Sequence, residues 1–323
     1  MMQRGNGGTR RSGTDAVAFQ KTLKESISCS GTGLHSGQRL TLTLRPADPD
    51  TGLVFRRTDL PGRGATIQAR WDNVVDSRLC TTIGNDDGVT IGTVEHLVAA
   101  LAGAGVDNVL VEVNGAEVPA MDGSAEPFSF LIECAGTVEQ DAPRKAIQIL
   151  EPVSVGDVAK SATLMPSSGR SFSFEIDFDN SLIGRQHLHV ELVNGTFRRE
   201  LARARTFGFE HEVAAMRSMG LARGGSLENA VVVSDGRILN EDGLRFDDEF
   251  VRHKLLDSIG DIYLAGYPII GHFHGFKSGH ALNNTLLRKL FDRPNAWRLV
   301  TLDGEMAEPV HAPVQRTPVA ANA

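Results

Sequence analysis

The stretch Val251-Arg-His-Lys-Leu-Leu-Asp-Ser-Ile-Gly-Asp261 sets His253, Asp257 and Asp261 at successive steps of four. At about 100° per residue such steps drift only about 40° each, so the three side chains form one ridge roughly 12 Å long on a helix. Val251, Leu255, Leu256, Ile259, Ile262 and Tyr263 fall on the opposite arc, the pattern of a helix with one side in a core. An imidazole and a carboxylate one turn apart can grip a single metal ion, and a carboxylate one turn further can orient another catalytic group. The solvated side of an ordinary amphipathic helix would read the same way. What faces the ridge therefore decides its meaning.

Residues 94–103, Val-Glu-His-Leu-Val-Ala-Ala-Leu-Ala-Gly, read as a short helix between Thr93, an N-capping residue, and the stop signals Gly103 and Gly105. Glu95 and His96 are its only polar residues. On a helix otherwise made of Ala, Leu and Val they are costly to bury without partners, which a hydrogen-bonded pair or a metal or acid–base role would equally supply. Val94, His96 and Gly103 match Val251, His253 and Gly260 at one constant offset. Each helix leads into a strand-like run, Asn108 to Val113 and Tyr267 to Phe276. If the halves are repeats, pseudo-symmetric pairing of the two helices converges His96 on His253 and Asp257. That gives a two-His, one-Asp site with an open position, as used by catalytic zinc and by non-haem iron.

The chain has 323 residues, 41% hydrophobic and 23% charged, enough for two globular domains. A net charge of −7 argues against broad nucleic-acid binding while leaving room for a local basic pocket. Cys29, Cys80 and Cys134 are far apart and lack C-x-x-C spacing, which fits a reducing compartment and excludes a cysteine zinc cluster. No apolar run has membrane-spanning length, and nothing hydrophobic follows Arg10-Arg11 as a signal would require. A cytoplasmic protein is expected. No feature separates a monomer, the default expectation, from a dimer.

Residues 1–19, rich in Gly, Arg, Ser and Thr, are expected to be a disordered extension, with the fold starting near Phe19. Arg39 to Arg45 alternates as a strand, and Pro127 opens a helix through Cys134. The polar stretch Thr137 to Lys145 is the expected boundary between domains 20–140 and 145–308. Beyond it Phe172, Phe174, Ile176 and Phe178 alternate, as do Leu188, Val190 and Leu192. Helices follow at Glu210 to Leu221, Glu249 to Ala265 and His280 to Phe291. The expected fold class is α+β: two similar domains, each a sheet layered on helices, with the helix layers facing each other and the site at the domain interface. The Pro- and Ala-rich end, 309–323, is expected to be loose.

His187 with His189 and His272 with His274 are H-x-H pairs on predicted strands, a geometry that binds metal in some hydrolases but has no complementary carboxylate here. His280 follows a short polar loop, Lys277-Ser-Gly, where a side chain either reaches a cleft or merely starts a helix.

Seven motifs in order resemble the LpxC family, the UDP-3-O-acyl-N-acetylglucosamine deacetylases of lipid A synthesis. They are Gly31-Thr-Gly-Leu-His-Ser-Gly37, Thr93-Val-Glu-His-Leu97, Met121-Asp-Gly-Ser-Ala125, Arg203-Ala-Arg-Thr-Phe-Gly208, Asn240-Glu-Asp-Gly-Leu-Arg-Phe246, Phe250 to Asp261, and Lys277-Ser-Gly-His-Ala-Leu-Asn-Asn284. The resemblance runs from about residue 20 to 305. It implies that His96, His253 and Asp257 hold Zn2+, with Fe2+ as a substitute ion, and that Glu95 is the general base. It implies that Thr206 helps stabilise the oxyanion and that His280, held by Asp261, protonates the leaving amine. Lys254 and Lys277 would serve the sugar and diphosphate, with Phe207 and Phe209 near the sugar. A hydrophobic passage for the acyl chain would form around an insert near 209–238. The implied reaction is hydrolysis of the acetamide of the acylated UDP-sugar, releasing acetate and the free amine. A zinc metallopeptidase lacks support, because H-E-x-x-H is absent and Gly92 stands where H-x-x-E-H needs a His. A non-catalytic carbohydrate- or nucleotide-binding module, and a two-His-one-carboxylate iron oxygenase, are the remaining alternatives.

Overall fold

The computed structural model describes residues 17–193, 195–234 and 236–303. The expected tail lies outside these residues, as do positions 1–16 of the expected extension. Residues 17–19 depart from that expectation: Val17 bridges to Asp303, and Phe19 opens strand β1 (Phe19–Leu23).

One order of elements occurs twice. In the first half an antiparallel pair, β2 (Ile27–Thr32) and β3 (Arg39–Pro46), is followed by a second, β4 (Leu53–Arg57) and β5 (Thr66–Gln68). A small sheet follows, of β6 (Val74–Asp76), β7 (Thr82–Gly84) and β8 (Thr90–Ile91). Then come α1 (Glu95–Ala104), β9 (Val109–Val113), α2 (Glu126–Ala135) and β10 (Thr137–Pro143). Strand β9 inserts between the pairs, antiparallel to β3 and parallel to β4, giving the order β2-β3-β9-β4-β5.

The second half starts with β11 (Lys145–Ile149), then the pairs β12 (Val153–Gly156) with β13 (Ser161–Met165) and β14 (Arg170–Asp177) with β15 (Arg185–Glu191). A three-stranded sheet of β16 (Phe207–Phe209), β17 (Val231–Ser234) and β18 (Arg237–Ile238), with α3 (Glu210–Ser218), occupies the place of the small sheet. Then follow α4 (Glu249–Tyr263), β19 (Ile269–Phe276), α5 (His280–Phe291) and β20 (Trp297–Thr301). Strand β19 again runs antiparallel to one pair through β13 and parallel to the other through β14. Even the flanking strands correspond, since β10 pairs antiparallel with β1 as β20 does with β11. Most of the stretch expected as the boundary is thus strand, and only Arg144 separates β10 from β11.

Alternation explains the sheets. Leu40, Leu42 and Leu44 of β3 and Val109, Val111 and Val113 of β9 point to one buried face, as period two requires. Helix α1 is buried throughout its first eight residues, with α4 and α2 packed against it. Gly105, with φ 68°, closes α1, where the left-handed cap costs a glycine least. Thr93 is not a capping side chain. It adopts φ 56°, a conformation a β-branched residue rarely takes, and its hydroxyl donates to Glu117 instead. α3 stops at Ser218 and α4 at Tyr263, each short of its expected end.

Helices α1 and α4 touch backbone to backbone at Gly260, where an added Cβ would overlap the Glu95 carbonyl oxygen. Gly103, its partner in the repeat, faces the Phe197 ring, so the duplication does not extend to helix contacts. Gly260→Ala must push α1 away from α4. We expect it to cost about 1–3 kcal/mol in denaturant unfolding and to reduce activity more than that loss of folded protein explains. Activity retained in full would show that the helix spacing does not set the position of Glu95.

Candidate metal centre

His96 lies in the first turn of α1, and His253 and Asp257 lie one turn apart on α4. Their ligand atoms all fall within 4.8 Å of one another, the one such His, Cys, Asp or Glu cluster among the described residues. All three side chains are buried. His253 Nδ1 donates to the Ala204 carbonyl at 3.0 Å. That fixes the tautomer and turns the Nε2 lone pair toward Asp257. Burial pushes the His253 pKa down to about 3, so the ring is neutral. Both His96 Nε2 and His253 Nε2 stand 3.3 Å from Asp257 Oδ1.

That oxygen is buried and has no hydrogen-bond partner. An orphaned carboxylate oxygen facing an imidazole lone pair is unfavourable unless a cation lies between them. Ligand atoms bound to zinc at roughly 2.0–2.1 Å in tetrahedral geometry stand roughly 3.4 Å apart, close to both separations. The residues fit a divalent cation of the zinc class. Burial works against the Asp257 carboxylate, but the surrounding donors and charges, the Lys254 ammonium among them, outweigh it and hold its pKa well below the usual range. Lys254 Nζ donates to the other oxygen, Oδ2, at 2.9 Å.

Beside this cluster sits an acid–base pair. Glu95 is buried; its Oε2 accepts the Thr81 backbone N–H at 3.0 Å, and Oε1 lies 3.9 Å from His280 Nε2. Burial raises the Glu95 pKa against the opposing pull of His280 and His96. His280 Nδ1 donates to Asp261 Oδ2 at 2.8 Å. Burial disfavours the imidazolium, yet Asp261 and Glu95 outweigh it and lift the pKa to about 10. Thr81 Oγ1 donates to Asp261 Oδ1 at 2.6 Å, and Asn283 Nδ2 donates to Oδ2 at 2.9 Å.

The sequence motifs act as struts for these groups. Arg205 makes a buried fork to Glu249, with Nε to Oε1 at 2.9 Å and Nη2 to Oε2 at 3.1 Å, tying the segment that carries Ala204 to the start of α4. Arg245 reaches Asp122 at 2.8 Å, and Glu117 accepts the His35 and Ser36 backbone N–H groups.

Six of the sequence-derived residues thus converge: Glu95, His96, His253, Asp257, Asp261 and His280. Thr206 and Phe207 line an adjoining cleft of about 580 Å³ with Leu34, Leu79, Val213 and Met216. Phe207 packs edge-on against Phe250, and Phe209 packs against Phe178. Lys277 is apart from the cluster, 3.7 Å from Asp177. The H-x-H pairs lie elsewhere, with His272 and His274 bonded to Ser171 and Ser173 on β14. Thr81 and Asn283 escaped the sequence reading. Asn283 follows His280 by three residues inside a motif already noted, a usable signal; Thr81 offered none.

A family model described as "UDP-3-O-acyl N-acetylglycosamine deacetylase", LpxC, matches residues 20–292. The chain belongs to the LpxC family. Similar proteins include the UDP-3-O-acyl-N-acetylglucosamine deacetylases of Acidithiobacillus ferrooxidans, 54% identical over 87% of this chain and 92% of that one, and of Chromobacterium violaceum, 49% identical over 92% and 97%. The protein of the same name from Teredinibacter turnerae is 53% identical over 90% of this chain and 96% of its own. The matched span of the LpxC family model contains every residue of the buried cluster.

Proposed function

We propose that this chain is a zinc-dependent deacetylase that hydrolyses the acetamide of UDP-3-O-acyl-N-acetylglucosamine in the cytoplasm, the committed step of lipid A synthesis. The observation that carries this reading is the orphaned Asp257 Oδ1 among His96 and His253, set beside Glu95 and His280. Membership of a deacetylase family supplies the substrate. The two repeated units are read as domains, 20–140 and 145–308, with the site at their seam.

His96, His253 and Asp257 would hold the ion, which when bound supplies Lewis acidity at the acetamide carbonyl. Glu95, with Oε2 anchored on Thr81 N–H, presents Oε1 to take a proton from the attacking water. His280 Nε2 faces the same point, and its Nδ1–H is committed to Asp261, so Nε2–H is the proton that goes to the departing nitrogen. An amide needs this acid because an amine anion is too basic to leave. The 3.9 Å gap keeps the two groups from simply pairing with each other. The Thr206 hydroxyl is assigned to the developing oxyanion. Lys277, Phe207 and Phe209 are assigned to the sugar nucleotide. Lys254 is assigned there too, although its ammonium also braces Asp257. The cleft between α3 and Leu34 suits the acyl chain. No helix among the described residues is long and apolar enough to cross a membrane.

The decisive test is release of acetate from the acylated UDP-sugar by purified protein, abolished by a chelator and restored by zinc. No release from the zinc-loaded protein would refute the reading.

The His280 assignment carries a pH signature. The imidazolium is the working form, so the rate should fall as pH rises through its pKa near 10. Asp261→Asn removes the first charge that raises this pKa and should move the alkaline limb to lower pH; His280→Ala should flatten it. A limb unchanged in both variants removes His280 from the mechanism.

A further inference from the structure

At the other end of α1, two guanidiniums, Arg144 and Arg170, lie in the field of one carboxylate, Asp107. Arg144, the single residue between β10 and β11, is buried, and its Nε donates to Asp107 Oδ1 at 2.8 Å. Asp107 Oδ2 is already engaged by the Lys21 backbone N–H at 2.9 Å. Arg144 Nη2 and Arg170 Nε are both buried with no hydrogen-bond partner. Lys21 stands opposite Glu139 across the β1–β10 ladder, so Arg170 is the surplus charge of the group.

Arg144 has a structural reason to be buried here. It lies against Gly105, the C-cap of α1, where the last carbonyls of the helix supply partial negative charge. That reason involves Arg144 Nη2, which also lies beside Gly105, but gives it no hydrogen bond, and it does not touch Arg170 Nε. Two orphaned, charged N–H groups are costly to leave unmet, and both residues line a cavity of about 380 Å³ whose charged lining is completed by Lys21 and Glu139, opposite each other on the β1–β10 ladder. Guanidinium N–H groups without acceptors, surplus positive charge and a cavity to receive a guest are the requirements for an anion site.

We propose that this cavity binds a compact oxyanion, a phosphate or carboxylate head, between Arg144 and Arg170. The site is separate from the metal centre: Glu95 and His96 open α1 and Gly105 closes it, roughly 14 Å away along the axis. The volume exceeds that of inorganic phosphate, so a small organic body can accompany the head.

The test uses the intact zinc-loaded protein with 15N-labelled arginine, titrated with inorganic phosphate and separately with acetate at constant ionic strength held by chloride. The Arg170 Nε–Hε resonance, assigned from Arg170→Lys, should shift saturably with at least one of them, and the one that acts identifies the head. Calorimetry on Arg170→Gln should show binding weakened about tenfold or more, while Lys277→Ala, altered on the diphosphate side of the catalytic cleft, should bind as the unmodified protein does. An Arg170 resonance that stays put, or drifts linearly with both anions, overturns the proposal. So does binding that survives Arg170→Gln and vanishes in Lys277→Ala. Should Arg170→Gln not fold, the resonance of the unmodified protein decides alone.

Discussion

The Asp257→Ala protein is expected to purify without its metal. Asp257 Oδ1 is the vertex shared by both imidazoles, at 3.3 Å from each, and it is the only anionic donor in the cluster. Removing it leaves two neutral nitrogens and a water-sized gap, which is a poor chelate for a divalent cation. It also strands Lys254, whose ammonium then faces the vacated position and repels the ion. Loss of an outer hydrogen-bond partner typically weakens metal binding by roughly 10–100-fold, and loss of a charged ligand should exceed that. Lys254→Met is the internal comparison: of the two Asp257 oxygens its ammonium bonds Oδ2 and not Oδ1, so it should weaken zinc far less than Asp257→Ala. Zinc content by atomic absorption, and competition with a chromophoric chelator, measure both. An unaltered zinc content in Asp257→Ala would mean that the ion, if any, sits elsewhere.

How the sequence led to this centre can be traced residue by residue. Period-four spacing placed His253, Asp257 and Asp261 on one ridge because helical geometry alone sets that relation. The His96 contribution came from a polar pair on an otherwise apolar helix and from three identities at a fixed offset. The structure answers with a repeat far deeper than three identities: β2-β3-β9-β4-β5 and β12-β13-β19-β14-β15 have matching directions. Topology is conveyed by strand pairing, which no local pattern reports, so the polar stretch 137–143 gave no sign that it is a strand paired with β1. Its composition is polar because β10 is largely exposed along its length. Thr93 failed as a cap because its backbone is left-handed, a property set by the packing around Glu117 and invisible in residue type. Thr81 was beyond reach for a related reason. Its amide and hydroxyl bonds, to Glu95 and to Asp261, link groups that are remote in sequence from one another, and the second forms only after the halves have packed.

The Glu95→Gln protein is expected to keep its zinc and lose most of its turnover. Glu95 stands next to His96 in the chain, but its oxygens are turned to Thr81 and His280 and are not among the convergent ligand atoms. The amide is nearly isosteric and retains an oxygen that can still accept the Thr81 N–H, so folding and ligand geometry should persist. What vanishes is the basic oxygen that takes the proton from water, a function whose removal typically costs about 100- to 10,000-fold in rate. His280 should respond too: Glu95 is the second charge sustaining its imidazolium, after Asp261, so the alkaline limb of any residual activity should move to lower pH. A variant that lost zinc in proportion to activity would make Glu95 a determinant of metal binding. A variant with full turnover would assign the proton to another group. Metal assay, single-turnover rate and pH profile, measured on one preparation, separate these outcomes, because a base acts on rate alone, a ligand acts on both rate and metal content, and a bystander acts on neither.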